Sequence, residues 1–427
     1  MDQPRVDFFE KDFWCVLAVA VLVLLPITSG PLRKWAWAAV NLSFLGLLLG
    51  VPDFERVWYL LQRSEVRDAA ALVGGSRLAW ACAGVLAAWI LLKTVRWRRL
   101  GVWALALCGA ALLGLFVIHK LAAETLYGED RVKELLEAIG LSNPAVQSLK
   151  PLLMAIGYSY VALRLVEALR LTREGRHPAP DLPSTINYLL PFHMLAAGPI
   201  QGYADFVAQP AVPPPLSASD ALAGVERIAH GLFKKYVLAT VVHDDFLTDF
   251  LAPFPYRGFE ALFLYLWVYL DFSGYSDIAV GAGRLMGVAT PENFNRPYAA
   301  RNLIDFWDRW HMSLSRFIYR NLFIPVQLAL VRRSGPQAAL WCATAAFSIS
   351  FLLCGLWHEL SVRWALWGAM NAAGLITVNW YRAWLQKRLS REAFNRYRAH
   401  RGIRWAAVAL TQIFVAATLL VASWPDK

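Results

Sequence analysis

Long apolar runs separated by short polar stretches dominate the pattern of this chain. A run of about 20 apolar residues is long enough to cross the hydrocarbon core of a bilayer. The pattern predicts membrane-embedded segments near residues 13–28, 35–50, 79–94, 101–122, 148–169, 186–200, 222–251, 258–287, 337–356, 362–381 and 403–424. Segments 222–251 and 290–330 mix aromatic and charged residues, which favours amphipathic or re-entrant helices surrounded by protein rather than lipid.

These segments predict an all-α, polytopic integral membrane protein of about 10–11 spans. The composition agrees, because 58% of the 427 residues are hydrophobic and the mean hydropathy is +0.41. We predict one integral-membrane domain over residues 1–427. It would consist of N-terminal spans (1–185), a motif-bearing core (186–375), and a basic loop with the last span (376–427).

Basic residues cluster at four places, residues 32–34, 93–99, 331–333 and 382–404. Lysine and arginine near the ends of spans are retained on the cytoplasmic side. Placing all four clusters inside predicts a protein of the plasma or inner membrane with both termini outside the cytoplasm. We expect no cleavable signal, because acidic residues precede the first apolar run. Basic loops beside anionic lipid account for the net charge of +11, so nucleic acid is not an expected partner.

Two Trp-His pairs stand in unusual surroundings. Trp310-His311 belongs to the sequence DFWDRWHMSLS, and Trp357-His358 lies between two strongly apolar runs. An ionisable side chain at membrane depth is costly unless it faces a cavity or a partner, so it indicates function. A neutral imidazole also suits general-base work near neutral pH. The alternative for His311 is a structural place on an interfacial helix anchored by aromatic and arginine side chains.

The spacing around both pairs predicts helices. Segment 302–320 predicts a single helix with four residues on one face, Phe306, Trp310, Ser313 and Phe317. A helix that follows the second pair and runs through Asn371 would place Trp364, Trp367 and Asn371 on one face. Proline and glycine interrupt the apolar segment 186–203, which predicts either a broken helix lining a cavity or a kinked helix end.

Four motifs together carry a resemblance to a known family. They are GYSD at 274–277, TPENFN at 290–295, DFWDRWHMSLS at 305–315 and GLWH at 355–358. In this order they resemble the membrane-bound O-acyltransferase (MBOAT) family, and within it the bacterial branch that adds D-alanyl groups to teichoic acid or acetyl groups to alginate. The resemblance covers about residues 186–375. It implies a bundle of spans with re-entrant and amphipathic helices around a central tunnel.

The resemblance also implies an enzyme and a site. The acyl donor would be a cytoplasmic thioester on a phosphopantetheinyl carrier protein or on coenzyme A. The acceptor would be a hydroxyl of an extracytoplasmic cell-envelope polymer or partner protein, with an esterase-like acyltransferase and membrane lipid as further partners. His358 would be the general base, and His311 would orient the donor or support the tunnel. Candidates for the tunnel or the oxyanion site are Trp357, Asn302, Asn371, Trp310, Asp305 and Ser315.

Four arginines form the predicted donor-docking surface, Arg316, Arg320, Arg332 and Arg333. Their charge would attract an acidic carrier protein or the phosphates of coenzyme A, although anchoring to lipid headgroups explains them equally well. We expect no permanently bound cofactor and no metal, because no HExxH or His/Cys ligand spacing occurs. Two other functions remain open, a transporter or flippase of an acylated or glycolipid intermediate and a non-catalytic scaffold.

Overall fold

The computed structural model describes residues 11–48, 69–95, 158–248 and 257–423. All regular elements within these ranges are helical, which confirms the predicted all-α class for them. The chain divides into two compact units, residues 1–225 with 281–290, and residues 226–280 with 291–427. The single-domain organisation stays a prediction. The predicted span at 101–122, the first part of 148–169 and most of the basic stretch 93–99 lie outside the described residues.

The first half of the chain supplies seven α-helices within the described ranges. They are α1 (Lys11–Leu24), α2 (Gly30–Leu48), α3 (Ala69–Thr94), α4 (Tyr158–Arg173), α5 (Leu182–Leu189), α6 (Tyr203–Val207) and α7 (Ala218–Leu232). After α7 the chain continues through π- and α-helical turns to Thr248. Most of the predicted segment 222–251 is therefore helical, with irregular turns where charged residues interrupt it.

Segment 186–200 is a broken helix rather than a span, as its proline and glycine residues predict. Helix α5 ends at Leu189, and one 3₁₀ turn, Phe192–Met194, follows. Pro191 ends the helix because proline has no N–H group and restricts the residue before it. The fully buried Arg164 donates hydrogen bonds to the carbonyl oxygens of Leu189, Met194 and Pro199, which satisfies backbone groups that the break leaves open.

The described part of the second half of the chain contains eight further α-helices. They are α8 (Arg257–Met286), α9 (Leu303–Trp307), α10 (Met312–Ile318), α11 (Ile324–Ser334), α12 (Ala339–His358), α13 (Val362–Arg388), α14 (Arg391–Ala399) and α15 (Arg401–Ala422). Among the described residues, two helices are long and apolar enough to cross a bilayer, Pro336–His358 and Arg401–Ala422. They coincide with the predicted segments 337–356 and 403–424.

Helices α12 and α13 form a closely packed hairpin. A Cβ atom on Gly355 would overlap the carbonyl oxygen of Trp364, and a Cβ atom on Gly368 would overlap that of Phe351. Only glycine permits backbones to approach this closely. The break between the two helices falls at Glu359–Ser361, where Ser361 caps α13 by accepting a hydrogen bond from the Trp364 N–H. The predicted polar break between two apolar segments is therefore confirmed.

The prediction of one helix over residues 302–320 is wrong. The chain forms two short helices, α9 and α10, and His311 between them adopts a left-handed backbone conformation. A single helix would require right-handed dihedral angles at His311. Backbone hydrogen bonds from the loop at 293–295 to residues 309 and 312 hold the chain in the broken form instead.

Candidate active site

His311 is buried between α9 and α10. Its backbone has φ 42° and ψ 51°, a region that non-glycine residues rarely occupy and that often marks functional sites. The residue is 3% exposed. Its Nε2 atom has no hydrogen-bond partner within the described parts of the chain. A buried polar atom without a partner is costly, so this nitrogen is suited to meet a ligand.

His358 ends helix α12 and is half-buried among indole rings. It stacks on Trp364 at a centroid distance of 4.6 Å and an interplanar angle of 20°. Trp357 and Trp367 meet it edge-on at 4.8 and 5.6 Å. Trp364 is held in turn by a hydrogen bond from its Nε1 to the Glu359 carboxylate at 3.1 Å. The predicted shared face of Trp364, Trp367 and Asn371 is confirmed in α13.

The structure brings the two histidines into the same compact unit. Helix α9 connects their surroundings. Its Trp307 ring packs edge-on against Trp367, the neighbour of His358, at a centroid distance of 5.8 Å. His193, by contrast, belongs to the other unit, where its Nε2 lies 3.0 Å from the Thr290 hydroxyl.

Two predicted polar candidates serve the local structure of α9. Asn302 caps the helix, because its Oδ1 accepts a hydrogen bond from the Asp305 N–H at 2.9 Å. Asp305 accepts a hydrogen bond from Arg309 Nε at 2.6 Å and another from the backbone N–H of Arg301 at 3.0 Å. These contacts stabilise the turn that leads to His311.

The other predicted candidates differ in their surroundings. Ser315 donates a hydrogen bond to the Trp310 carbonyl at 3.2 Å. Asn371 is 1% exposed and donates to the Trp367 carbonyl at 3.0 Å. The Trp310 ring stacks on Phe306 at 5.5 Å inside an aromatic cluster. The Trp357 ring lies directly against the His358 ring, which distinguishes it from Ser315, Asn371 and Trp310.

A cavity of about 460 Å³ lies at the start of α10, next to the turn that contains His311. Its wall is mainly apolar and comes from α9, α10, the π-helical turn after α10, α12 and α13. Met312, which follows His311, and Trp307 both line it. Two buried polar atoms of lining residues, Trp307 Nε1 and Ser350 Oγ, have no hydrogen-bond partner in the described ranges. The cavity is therefore suited to a mainly apolar ligand that carries a few hydrogen-bonding groups.

The four arginines of the predicted donor-docking surface lie in two different places. Arg316 and Arg320 line the cavity together with Ser315. Arg332 and Arg333 lie in the last turn of α11, are exposed, and do not contribute to the lining. Two of the four arginines therefore line the cavity, and the other two do not.

Sequence reasoning missed three side chains at this site. Trp307 was hidden among many aromatic residues of the DFWDRWH motif, and Ser350 lies within an apolar run. Asn293 was visible only as part of the TPENFN motif. None of them had a local signal, because each becomes important through a neighbour from another helix.

Comparison with known proteins identifies the family. Residues 79–420 match MBOAT, the membrane-bound O-acyltransferase family. The chain belongs to the membrane-bound O-acyltransferase family. Membership implies a polytopic membrane protein and bears out the resemblance carried by the four motifs.

The MBOAT relatives to which this chain is similar are named after different acyl groups and polymers. The chain is similar to the teichoic acid D-alanyltransferase of Bacillus subtilis, 27% identical over 55% of this chain and 62% of that protein. It is also similar to a probable alginate O-acetylase of Pseudomonas aeruginosa, 30% identical over 66% of this chain and 51% of that protein. A peptidoglycan O-acetyltransferase of Helicobacter pylori is 32% identical over 43% of this chain and 35% of its own length. The matches span about a third to two thirds of these relatives.

Proposed function

We propose that the protein is a membrane-bound O-acyltransferase that moves a D-alanyl or acetyl group from a cytoplasmic thioester to a hydroxyl outside the cytoplasm. The observation that carries the proposal is the buried His311, whose Nε2 has no hydrogen-bond partner among the described residues, next to the cavity at the start of α10 and in the same unit as His358 and its indole rings. Family membership supports acyl transfer over the alternative of a transporter or flippase. A scaffold would have no need of a buried histidine with an unbonded ring nitrogen.

His358 is the proposed general base. The acceptor hydroxyl gives its proton to the imidazole while its oxygen forms a bond to the thioester carbonyl carbon. The carbon–sulfur bond then breaks, and the thiolate leaves with the proton returned by the imidazolium. Base catalysis of this kind contributes about 10²–10⁴-fold. Half-burial of His358 among indole rings supports this role, because the ring is held in place and still accessible.

His311 is proposed to hold the donor. Its unbonded Nε2 is available for a hydrogen bond to the acyl or thioester group. Trp357 and Asn371 remain the candidates for oxyanion donors, because both lie with the residues around His358. One such donor is commonly worth about 3 kcal/mol in the transition state.

The cavity at the start of α10 is the proposed place of the donor arm. A phosphopantetheine arm is a long chain with two amide groups and a phosphate at one end. The apolar lining suits the chain, and Trp307 Nε1 and Ser350 Oγ offer hydrogen bonds to amide groups. Arg316 and Arg320 would meet the phosphate. Carrier protein and coenzyme A share this arm, so both remain candidate donors.

The names of the relatives indicate the class of acceptor. They describe teichoic acid, alginate and peptidoglycan as the modified polymers. We propose that this chain likewise modifies an envelope polymer or a partner protein that passes the acyl group on. Supplying the purified protein separately with D-alanyl-carrier and acetyl-coenzyme A, and following thiol release, would identify the donor.

The His358→Ala variant tests the proposal. It should lose thiol release and acceptor acylation, whereas His230→Ala should retain both, because His230 is an exposed residue on α7. Both variants would be purified in lipid nanodiscs, with elution volume and thermal unfolding as checks on folding. Near-normal acyl transfer by His358→Ala would overturn the assigned base.

The orientation in the membrane is a separate proposal. We propose that the basic loop 382–404 faces the cytoplasm and that both termini lie outside, because positive residues beside apolar spans are retained inside. The test is an Arg391→Cys variant in which the five native cysteines are replaced. An impermeant thiol reagent should label it in opened but not in intact cells. Efficient labelling of intact cells would reverse the topology.

A further inference from the structure

We propose that Asn293 is a positioning residue that sets the direction of the His311 imidazole by tying the histidine turn to helix α8. The inference rests on the proposed role of His311. Asn293 is fully buried, with 0% exposure. It lies in the loop between α8 and α9, before the turn that it would control.

Asn293 holds the chain immediately after His311 through both its backbone and its side chain. Its carbonyl oxygen accepts a hydrogen bond from the Met312 N–H at 2.9 Å. Its Oδ1 accepts one from the Ser313 hydroxyl at 2.6 Å and a longer one from the Ser313 N–H at 3.4 Å. These bonds fix the start of α10, and therefore the left-handed residue that precedes it. Without them the free energy cost of that conformation would favour another backbone state.

The other end of the Asn293 amide reaches α8. Its Nδ2 donates a hydrogen bond to Ser276 Oγ at 3.2 Å. Phe272, one helical turn before Ser276 and on the same face, packs edge-on against the His311 ring at 4.7 Å. Helix α8 therefore contacts the His311 imidazole directly through Phe272. It also connects to the backbone that follows His311, indirectly, through Asn293. A small shift of the amide would tilt the ring relative to this wall.

Two ion pairs fix the same part of α8. Asp277, which follows Ser276 and is 6% exposed, lies 2.7 Å from Arg227 Nε and 2.5 Å from Lys234 Nζ. Buried charged groups tolerate little displacement once they are paired. Asn293 thus connects the histidine turn to a fixed point of the helix rather than to a mobile side chain.

The first experiment compares two asparagines of one loop. Asn293→Ala removes all side-chain bonds, whereas Asn295→Ala is the matched control, because Asn295 is exposed and pairs with Arg309 through backbone atoms. We expect Asn293→Ala to lower kcat by about 10²-fold, the effect of a small misplacement of a catalytic group. Because His311 is proposed to hold the donor, Asn293→Ala should also raise the KM for the donor, whereas kcat and KM of Asn295→Ala should both stay within twofold of the wild type. Wild-type kcat in Asn293→Ala would overturn the proposal.

A double-mutant cycle separates positioning from a general structural role. If Asn293 acts through His311, Asn293→Ala should add no further loss of kcat in a His311→Ala background. An equal loss in both backgrounds would overturn the proposal. Full turnover by His311→Ala alone would refute the proposed role of His311 itself. That outcome is distinct from a failure of the Asn293 proposal, which the double mutant detects.

Two milder variants serve if Asn293→Ala does not fold. Asn293→Asp keeps the acceptor for Ser313 and loses the donor to Ser276, so it should recover part of the kcat. Ser313→Ala removes one hydroxyl and should lower kcat severalfold. Wild-type kcat in Ser313→Ala, together with no difference between Asn293→Asp and wild type, would overturn the proposal.

Discussion

The two Trp-His pairs of this protein hold their histidines by different physical means. His358 ends a regular helix and is kept in place by three indole rings, all within ten residues of it in the chain. His311 occupies a left-handed turn and depends on hydrogen bonds from a loop that precedes α9. Ring contacts have broad energy minima, whereas hydrogen bonds weaken steeply with angle and distance. The first site should therefore tolerate conservative change better than the second.

The two histidines also differ in their solvent exposure. His358 is half-buried, so under the proposed mechanism its imidazole is open to the acceptor hydroxyl. His311 is 3% exposed, and its Nε2 has no hydrogen-bond partner among the residues that the structure describes. A base that must release its proton on every cycle belongs at the more open position, while a group that binds a donor benefits from enclosure.

The largest expected effect is a difference in kcat between the two alanine variants. His358→Ala should lose about 10²–10⁴-fold in kcat, as expected for removal of a general base. His311→Ala should lose about 10²-fold, at the lower end of that range, because the base remains. Single-turnover measurements on both purified proteins would establish the order. A severe loss in His311→Ala beside near-normal turnover in His358→Ala would reverse the assignment of the base.

The hairpin that carries His358 should be sensitive to added volume. Gly355→Ala would force its Cβ against the Trp364 carbonyl and separate α12 from α13, at a cost of about 1–3 kcal/mol. Thermal unfolding in detergent should show a lower Tm, with reduced turnover. Gly84→Ala is the control, because the added Cβ meets no atom within 4 Å from the rest of the described residues, its own helical turn apart. Equal Tm values for the two variants would contradict close packing at Gly355.

Replacing the ring on which His358 stacks should have a moderate effect. Trp364→Phe keeps an aromatic face and should remain within a few-fold of the wild-type kcat. Trp364→Leu removes the face and should lose up to about tenfold, since aromatic pairs are worth about 0.5–1.5 kcal/mol. Both variants lose the hydrogen bond to Glu359, so their difference isolates the ring. Identical rates for Phe and Leu would show that stacking does not hold the imidazole.

The smallest effects concern the arginines. Replacing Arg316 and Arg320 with glutamate should weaken donor binding more than the same change at Arg332 and Arg333, because the first pair lines the cavity. The exposed pair should change affinity by a few-fold at most, since exposed charges contribute about 0–1 kcal/mol. Both effects should shrink at high salt. Donor titrations at two ionic strengths would measure them, and unchanged affinity in both variants would remove the docking surface.

Local signals in the sequence predicted several structural features correctly. Pro191 marks the end of α5, and the polar residues at 359–361 mark the break between α12 and α13. Helical spacing placed Trp364, Trp367 and Asn371 on one face. Each of these features depends on side-chain size, ring constraint or periodicity within a few residues, so it is visible without knowledge of any distant neighbour.

By itself, the sequence determined the helical class, the apolar segments and the two Trp-His pairs that mark the family. The tertiary structure alone decided that α9 and α10 are separate, that His311 is left-handed, and that Asn293 reaches both the histidine turn and α8. It also decided that Asn302 and Asp305 stabilise a turn, and that two of the four arginines line the cavity. The reason is that hydrogen bonds between distant segments can override local helical preference. These hydrogen bonds depend on which segments meet in the folded protein, so the periodicity of a single segment does not predict them.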